Sequence, residues 1–165
     1  MAAKQNSTAR LPVTGEIVIR RVYNAPRKAV WDAWTVPERF RLWWGPEGFT
    51  SPSCRMDLRA GGKYLHCMRS PDGKEYWSTG VYRDIAPVEK IVFTDSFADS
   101  EGNVVAASYY GMKEYWPLEM AVTVTFEEDV GKTIMTLRHE GVPRRMKDEC
   151  EAGWNGSFDK LERIL

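Results

Sequence analysis

The chain has 165 residues, 23 basic side chains against 23 acidic ones, and 43% hydrophobic content, a size that suits one domain burying about 70% of its unfolded surface. This mixture excludes a disordered or collagen-like chain, and the absence of a basic excess argues against a dedicated nucleic-acid binder. The longest apolar run, Val104–Ala107, is far short of the ~20 residues a membrane helix needs.

Residues 1–15 are small and polar, and are expected to form a flexible segment ahead of a single domain over 16–165. Glu16–Tyr23 is rich in β-branched residues and reads as a strand. Pro26 suits the first turn of a helix whose apolar stripe is Val30, Ala33 and Trp34. A second short helix, after Pro37, carries Phe40, Trp43 and Trp44 and ends at Gly45-Pro46. The punctuation then becomes that of antiparallel sheet, with strands expected at Ser53–Leu58, Lys63–Arg69, Glu75–Ile85 and Lys90–Phe97. Met120–Glu128 and Lys132–Glu140 flank a short loop and form a hairpin. Met146, Cys150, Trp154, Phe158, Leu161 and Leu165 recur at helical spacing, so a long helix is expected from Pro143 to the chain end. This order defines an α+β domain in which a curved antiparallel sheet of six or seven strands wraps a C-terminal helix.

Cys54, Cys67 and Cys150 are an odd, widely spaced set, and His66 and His139 are the two histidines. Neither a disulfide framework nor a metal site can be built from them. The first ten residues lack the apolar core of a secretory signal, so a cytoplasmic location is expected.

Tyr23–Trp34, Phe40–Pro46, Asp57–Gly62, Met68–Gly73, Gly80–Pro87, Val122–Phe126 and Gly153-Trp154 stand in an order that resembles the START-like, or helix-grip, superfamily of the birch-pollen allergens and polyketide cyclases. Within it, the chain is most similar to the family named after the activator of the heat-shock-protein-ninety ATPase, in its C-terminal domain. The resemblance implies a cavity for apolar ligands between sheet and helix, and the family name implies a chaperone as partner. One fold hosts many activities, so function must be argued from the site.

Period-two alternation places Tyr64, His66 and Met68 on one strand face, Trp77 with Thr79 and Val81 on another, and Phe93, Asp95 and Phe97 on a third. If these faces turn inward, Trp154 and Phe158 oppose them, and Trp44 joins them from the second helix. His66 and Asp95 then need partners, which could be each other, a water or a ligand. Ordinary core packing is the competing account of such aromatic rows. The 22 residues Ala98–Glu119 carry Tyr109, Tyr110, Met112, Tyr115 and Trp116 and are read either as a lid over the cavity or as a contact with a second copy of the chain. His139 and Glu140 read as an acid–base pair or as a surface ion pair. The expected function is binding of a small apolar or amphipathic molecule, without cofactor or metal. A chaperone-interaction module and a cyclase or hydratase enzyme are the alternatives.

Overall fold

A computed structural model describes residues 13–165. The expected flexible segment 1–15 falls mostly outside the described residues. Its end does not fit that expectation, because strand β1 spans Thr14–Tyr23 and starts by pairing Thr14 with Pro143. Helices α1 (Arg27–Thr35) and α2 (Pro37–Phe40) follow. Next come β2 (Cys54–Met56), β3 (Lys63–Arg69), β4 (Glu75–Ala86) and β5 (Lys90–Ala98). Strands β6 (Met120–Asp129) and β7 (Lys132–Pro143) form the last hairpin, and helix α3 (Lys147–Ile164) closes the chain. The seven strands form one antiparallel sheet in the order β1-β7-β6-β5-β4-β3-β2, so the first strand returns to pair with the last.

Two sequence-based boundaries move. Pro143 does not open the long helix. It is the last residue of β7, and a 3₁₀ turn at Arg144–Met146 precedes α3. The strand is carried past its expected end by a bulge: Gly15 pairs with Val142 and Glu16 with Glu140, leaving Gly141 as the extra residue at φ +91°. The second helix is shorter than expected, since α2 ends at Phe40 and Trp43 and Trp44 lie in the turn after it.

The ladder assigns the faces. Ile17, His139, Val122 and Phe93 lie in one inward-facing row across β1, β7, β6 and β5, and Tyr82 continues it on β4. Asp95 opposite Met120 lies in the next inward row. On β3, Tyr64, His66 and Met68 pair with Gly80, Ser78 and Tyr76. Trp77, Thr79 and Val81 therefore share the other face, with Leu65 and Cys67, which corrects the inward placement expected for them. Burial does not tell the two faces apart here: Thr79 of β4, Cys67 of β3, and Ser96 and Ala98 of β5 are buried although they point outward. Alternation in burial, the signal that marks a half-covered strand, is lost there.

Above the inner face, Trp34 of α1 packs among Phe40, Trp43, Phe93, Phe126, Trp154 and Phe158, with ring centroids 4.8–6.5 Å away. Its Nε1–H points at Met135 Sδ, 3.3 Å away. Helix α3 lies beside this cluster and buries Trp154, Ser157, Phe158 and Leu161. Gly156 allows the close approach of the 44–49 loop, since a Cβ there would stand 3.1 Å from the Glu47 backbone nitrogen.

At the β6–β7 turn, Asp129 pairs with Lys132 across Val130-Gly131, and both turn residues have positive φ, 46° and 76°. That is the backbone of a type I′ turn, which a β-branched residue adopts only under strain. Val130 is also 95% exposed. Val130→Asn is expected to raise stability by about 1 kcal/mol, read as a rise in the midpoint of urea unfolding; an unchanged or lower midpoint would contradict the strain assigned to this turn.

Candidate functional site

Between the inner face of the sheet and the first turns of α3 lies a cavity of about 300 Å³. Its floor is Tyr76, Ser78, Asp95, Phe97, Met120 and His139 from the strands, and one wall is Cys150, Gly153, Trp154 and Ser157 from α3. Trp44, Gly45 and Pro46 form another wall. The loop carrying them is fastened to α3 by Lys160, whose ammonium donates to the carbonyls of Pro46 and Phe49 at 3.3 and 3.1 Å. An Arg163–Glu47 ion pair at 2.6 Å fastens it again. The Ala98–Glu119 segment closes the remaining side with Met112 and Trp116, the Trp116 ring standing edge-on to Phe97 at 5.5 Å. The lid expectation thus matches the geometry of Met112 and Trp116, while Tyr109, Tyr115 and Leu118 of the same segment are exposed.

The expected site residues divide into three groups. Trp44, Met68, Asp95, Trp116 and Trp154 contribute to the cavity wall, and Trp77 borders it from a strand position whose side chain lies on the other sheet face. Tyr64, His66 and Phe93 do not; with Trp34, Phe40 and Tyr82 they surround a separate void of about 10 Å³, room for one water at most. Tyr110 and Phe158 are structural. The Tyr110 hydroxyl accepts the Trp77 backbone N–H at 2.9 Å and donates to the Ala98 carbonyl, bridging β4 and β5 where they part. Phe158 is fully buried in the core.

His66 lies against Tyr64 and Phe40 with ring centroids 4.4 and 4.3 Å away, and its Nδ1 is 3.4 Å from Cys54 Sγ. Burial in this aromatic stack pushes its pKa down to about 3. It does not hydrogen-bond Asp95. The link between them is Tyr64, whose hydroxyl donates to the Thr94 carbonyl at 2.6 Å and lies 3.3 Å from Asp95 Oδ1.

Asp95 also has His139 beside it, a residue that the sequence left as either an acid–base pair or a surface ion pair with Glu140. Glu140 is exposed, but His139 points inward and is 3% exposed. Its Nε2 faces Asp95 Oδ2 at 3.7 Å, beyond hydrogen-bond reach, and has no other partner among the described residues. Its Nδ1 accepts the indole N–H of Trp154 at 3.1 Å. An imidazole that accepts at Nδ1 carries its proton on Nε2 and is neutral. Charging it would set N–H against N–H, and burial also holds its pKa below the usual histidine value. Burial raises the Asp95 carboxyl, with the nearby His139 and the Tyr64 hydroxyl pulling the other way. The signal that could have found this pair was the parity of β7: His139 alternates with Leu137 and Met135, which are plainly core residues.

No cluster of histidine, cysteine or carboxylate side chains suited to a metal ion occurs among the described residues, and none of their helices is long and apolar enough to cross a membrane.

A seven-stranded antiparallel sheet, a long C-terminal helix and an apolar cavity between them define a helix-grip protein of the START-like class. Residues 24–165 match the family described as activator of Hsp90 ATPase homolog 1-like protein, and the chain belongs to it. Among solved structures it is similar to protein CV1439 from Chromobacterium violaceum, at 26% identity over 91% of this chain and 96% of that one, with a TM-score of 0.74. It shares its fold with Ms6760 from Mycobacterium smegmatis (21% identity, 91% and 90% covered, TM-score 0.76) and with the AHSA1-like protein from Aeromonas hydrophila (22% identity, 90% of both chains, TM-score 0.69). No curated protein matches it.

Proposed function

We propose that this protein binds a small apolar or amphipathic molecule between the sheet and α3. The observation that carries this reading is the cavity of about 300 Å³, walled by aromatic and methionine side chains around the partly open carboxyl of Asp95, with Glu149 at its margin. Such a combination of apolar lining and few polar groups is what small-molecule sites share. Ligand carbon buried there contributes about 25 cal/mol for each Å² removed from water. Asp95 orients the polar end, whereas His66 serves the fold.

Native mass spectrometry of freshly purified protein, compared with the same sample denatured, is expected to show a discrete added mass that leaves on unfolding. Gly153→Leu provides the control. A Cβ at Gly153 meets only Pro46 Cγ at 3.7 Å, and Gly153 lines the cavity, so leucine fills the space and also removes a helix glycine worth about 1 kcal/mol. This variant is expected to lose the added mass and to unfold no earlier than the parent. Equal loading of parent and variant would contradict the cavity as the site.

A second reading follows from the family, whose name points to a heat-shock chaperone ATPase. The surface that favours it is the exposed group Tyr109, Tyr115 and Leu118 beside the cavity, since exposed aromatic residues mark protein contacts. The same patch could serve a second copy of the chain.

A further inference from the structure

The charge pattern of the cavity wall narrows the ligand class. Among the described residues, Asp95 and Glu149 are the acids of the wall, and no lysine or arginine contributes to it. His139 supplies no positive charge, because its Nδ1 is occupied by the Trp154 N–H and its ring is neutral. Asp95 lacks a cationic partner: the Tyr64 hydroxyl lies at 3.3 Å and neutral His139 at 3.7 Å, while 19% of its side-chain surface stays open. A carboxylate held among apolar groups without a counter-charge is unfavourable. The cavity that Asp95 opens into is aromatic, with Trp44, Tyr76, Phe97, Trp116 and Trp154 among its lining residues, and aromatic rings attract a cation.

Building on the cavity reading above, we infer that the ligand is a cationic amphiphile, an apolar body bearing an ammonium group that pairs with Asp95 inside the aromatic walls. Glu149, exposed on the first turn of α3, places a second negative charge at the cavity margin. An anionic amphiphile of the fatty-acid kind would meet two carboxylates and no cation, and is rejected by the same wall.

The test is a series of four naphthalenes alike in shape. The ring system is chosen because the cavity of about 300 Å³ is about twice the ~150 Å³ of an engineered apolar cavity that takes up benzene. Isothermal calorimetry at neutral pH compares 1-(2-naphthyl)ethylammonium, 2-acetylnaphthalene, 2-isopropylnaphthalene and 2-naphthoate. The ammonium compound is expected to bind about tenfold tighter than the isopropyl hydrocarbon, and 2-naphthoate most weakly. Asp95→Asn is expected to bring the ammonium compound down to the affinity of the hydrocarbon, whose own Kd then serves as the check that the cavity is intact. The order of affinities in the unmodified protein decides the matter even if that variant does not fold. If the hydrocarbon binds and the ammonium compound binds no better, the charge inference fails while the cavity reading stands. A ketone that binds tighter than the ammonium compound also overturns it, and would seat an acceptor on the orphaned His139 Nε2–H. If none of the four binds, the cavity reading fails as well.

Discussion

Gly80→Ala is expected to lower stability by at least about 3 kcal/mol, or to prevent folding altogether. Gly80 stands opposite Tyr64 in the β3–β4 ladder. A Cβ there would overlap the carbonyl oxygen of Thr94 on β5 and come within 2.8 Å of Tyr64 Cε1. The Thr94 carbonyl is backbone in a paired strand, so relief requires moving β5 rather than a flexible side chain. Tyr64 crosses over this glycine to donate to that same carbonyl, an aromatic ring covering a position without a side chain. Next to Gly80, the Val81 N–H is satisfied by Thr94 Oγ1 at 2.9 Å, and β4 and β5 lose register further along, between Tyr82 and Asp84. The substitution therefore disturbs the arrangement that turns Asp95 inward, and ligand uptake should fall with stability. Urea unfolding of the variant measures the effect; a midpoint within about 0.5 kcal/mol of the parent would show that the two strands can part at no cost.

The second large effect is acid lability through His66. An unfolded chain takes up this proton at about pH 6.5, whereas the folded protein holds the ring neutral down to about 3. Between those values the unfolded state binds more protons, so stability falls as the pH drops. The loss is about 2 kcal/mol by pH 5 and roughly 4 kcal/mol by pH 3, close to the lower end of the whole stability of a domain. His139, also buried and neutral, acts in the same direction. Asp95, whose carboxyl is raised, acts oppositely, because its folded form binds a proton before its unfolded form does. His66→Phe keeps an aromatic ring against Tyr64 and Phe40, and the adjoining void of about 10 Å³ takes up part of its extra size. This variant is expected to lose about 2 kcal/mol less than the parent between pH 7 and pH 5. Unfolding curves at the two pH values that shift equally in parent and variant would remove His66 as the cause.

Both effects rest on side chains whose roles the sequence revealed only in part. His66 and Asp95 were recognisable as polar residues set in aromatic rows, which marks them as needing partners. Which partners they have was not recognisable. Cys54, Tyr64 and His139 reach them across strand pairings set by the whole sheet, and Asp95 and His139 are brought together only because β6 lies between their strands.

The kind and order of the elements were determined by local chemistry. Proline at a helix start, glycine and asparagine-like turn residues, β-branched runs and the spacing of Trp154, Phe158 and Leu161 act within a few residues, so a sequence displays them directly. The resemblance to the helix-grip class followed from that order, and the fold agrees with it. Tertiary structure alone decided which face of each strand is covered. Alternation divides a strand into two faces but does not say which one meets the helix, and one residue of register exchanges them. The strand pairings put Tyr64, His66 and Met68 of β3 on the face opposite to Trp77, Thr79 and Val81 of β4, and burial on that second face, as at Thr79 and Cys67, does not tell it from core. The same limit hid His139. Its neighbour Glu140 suggested a surface pair, while its place beside Asp95 and Trp154 depends on a sheet and a helix that meet only after the chain has folded.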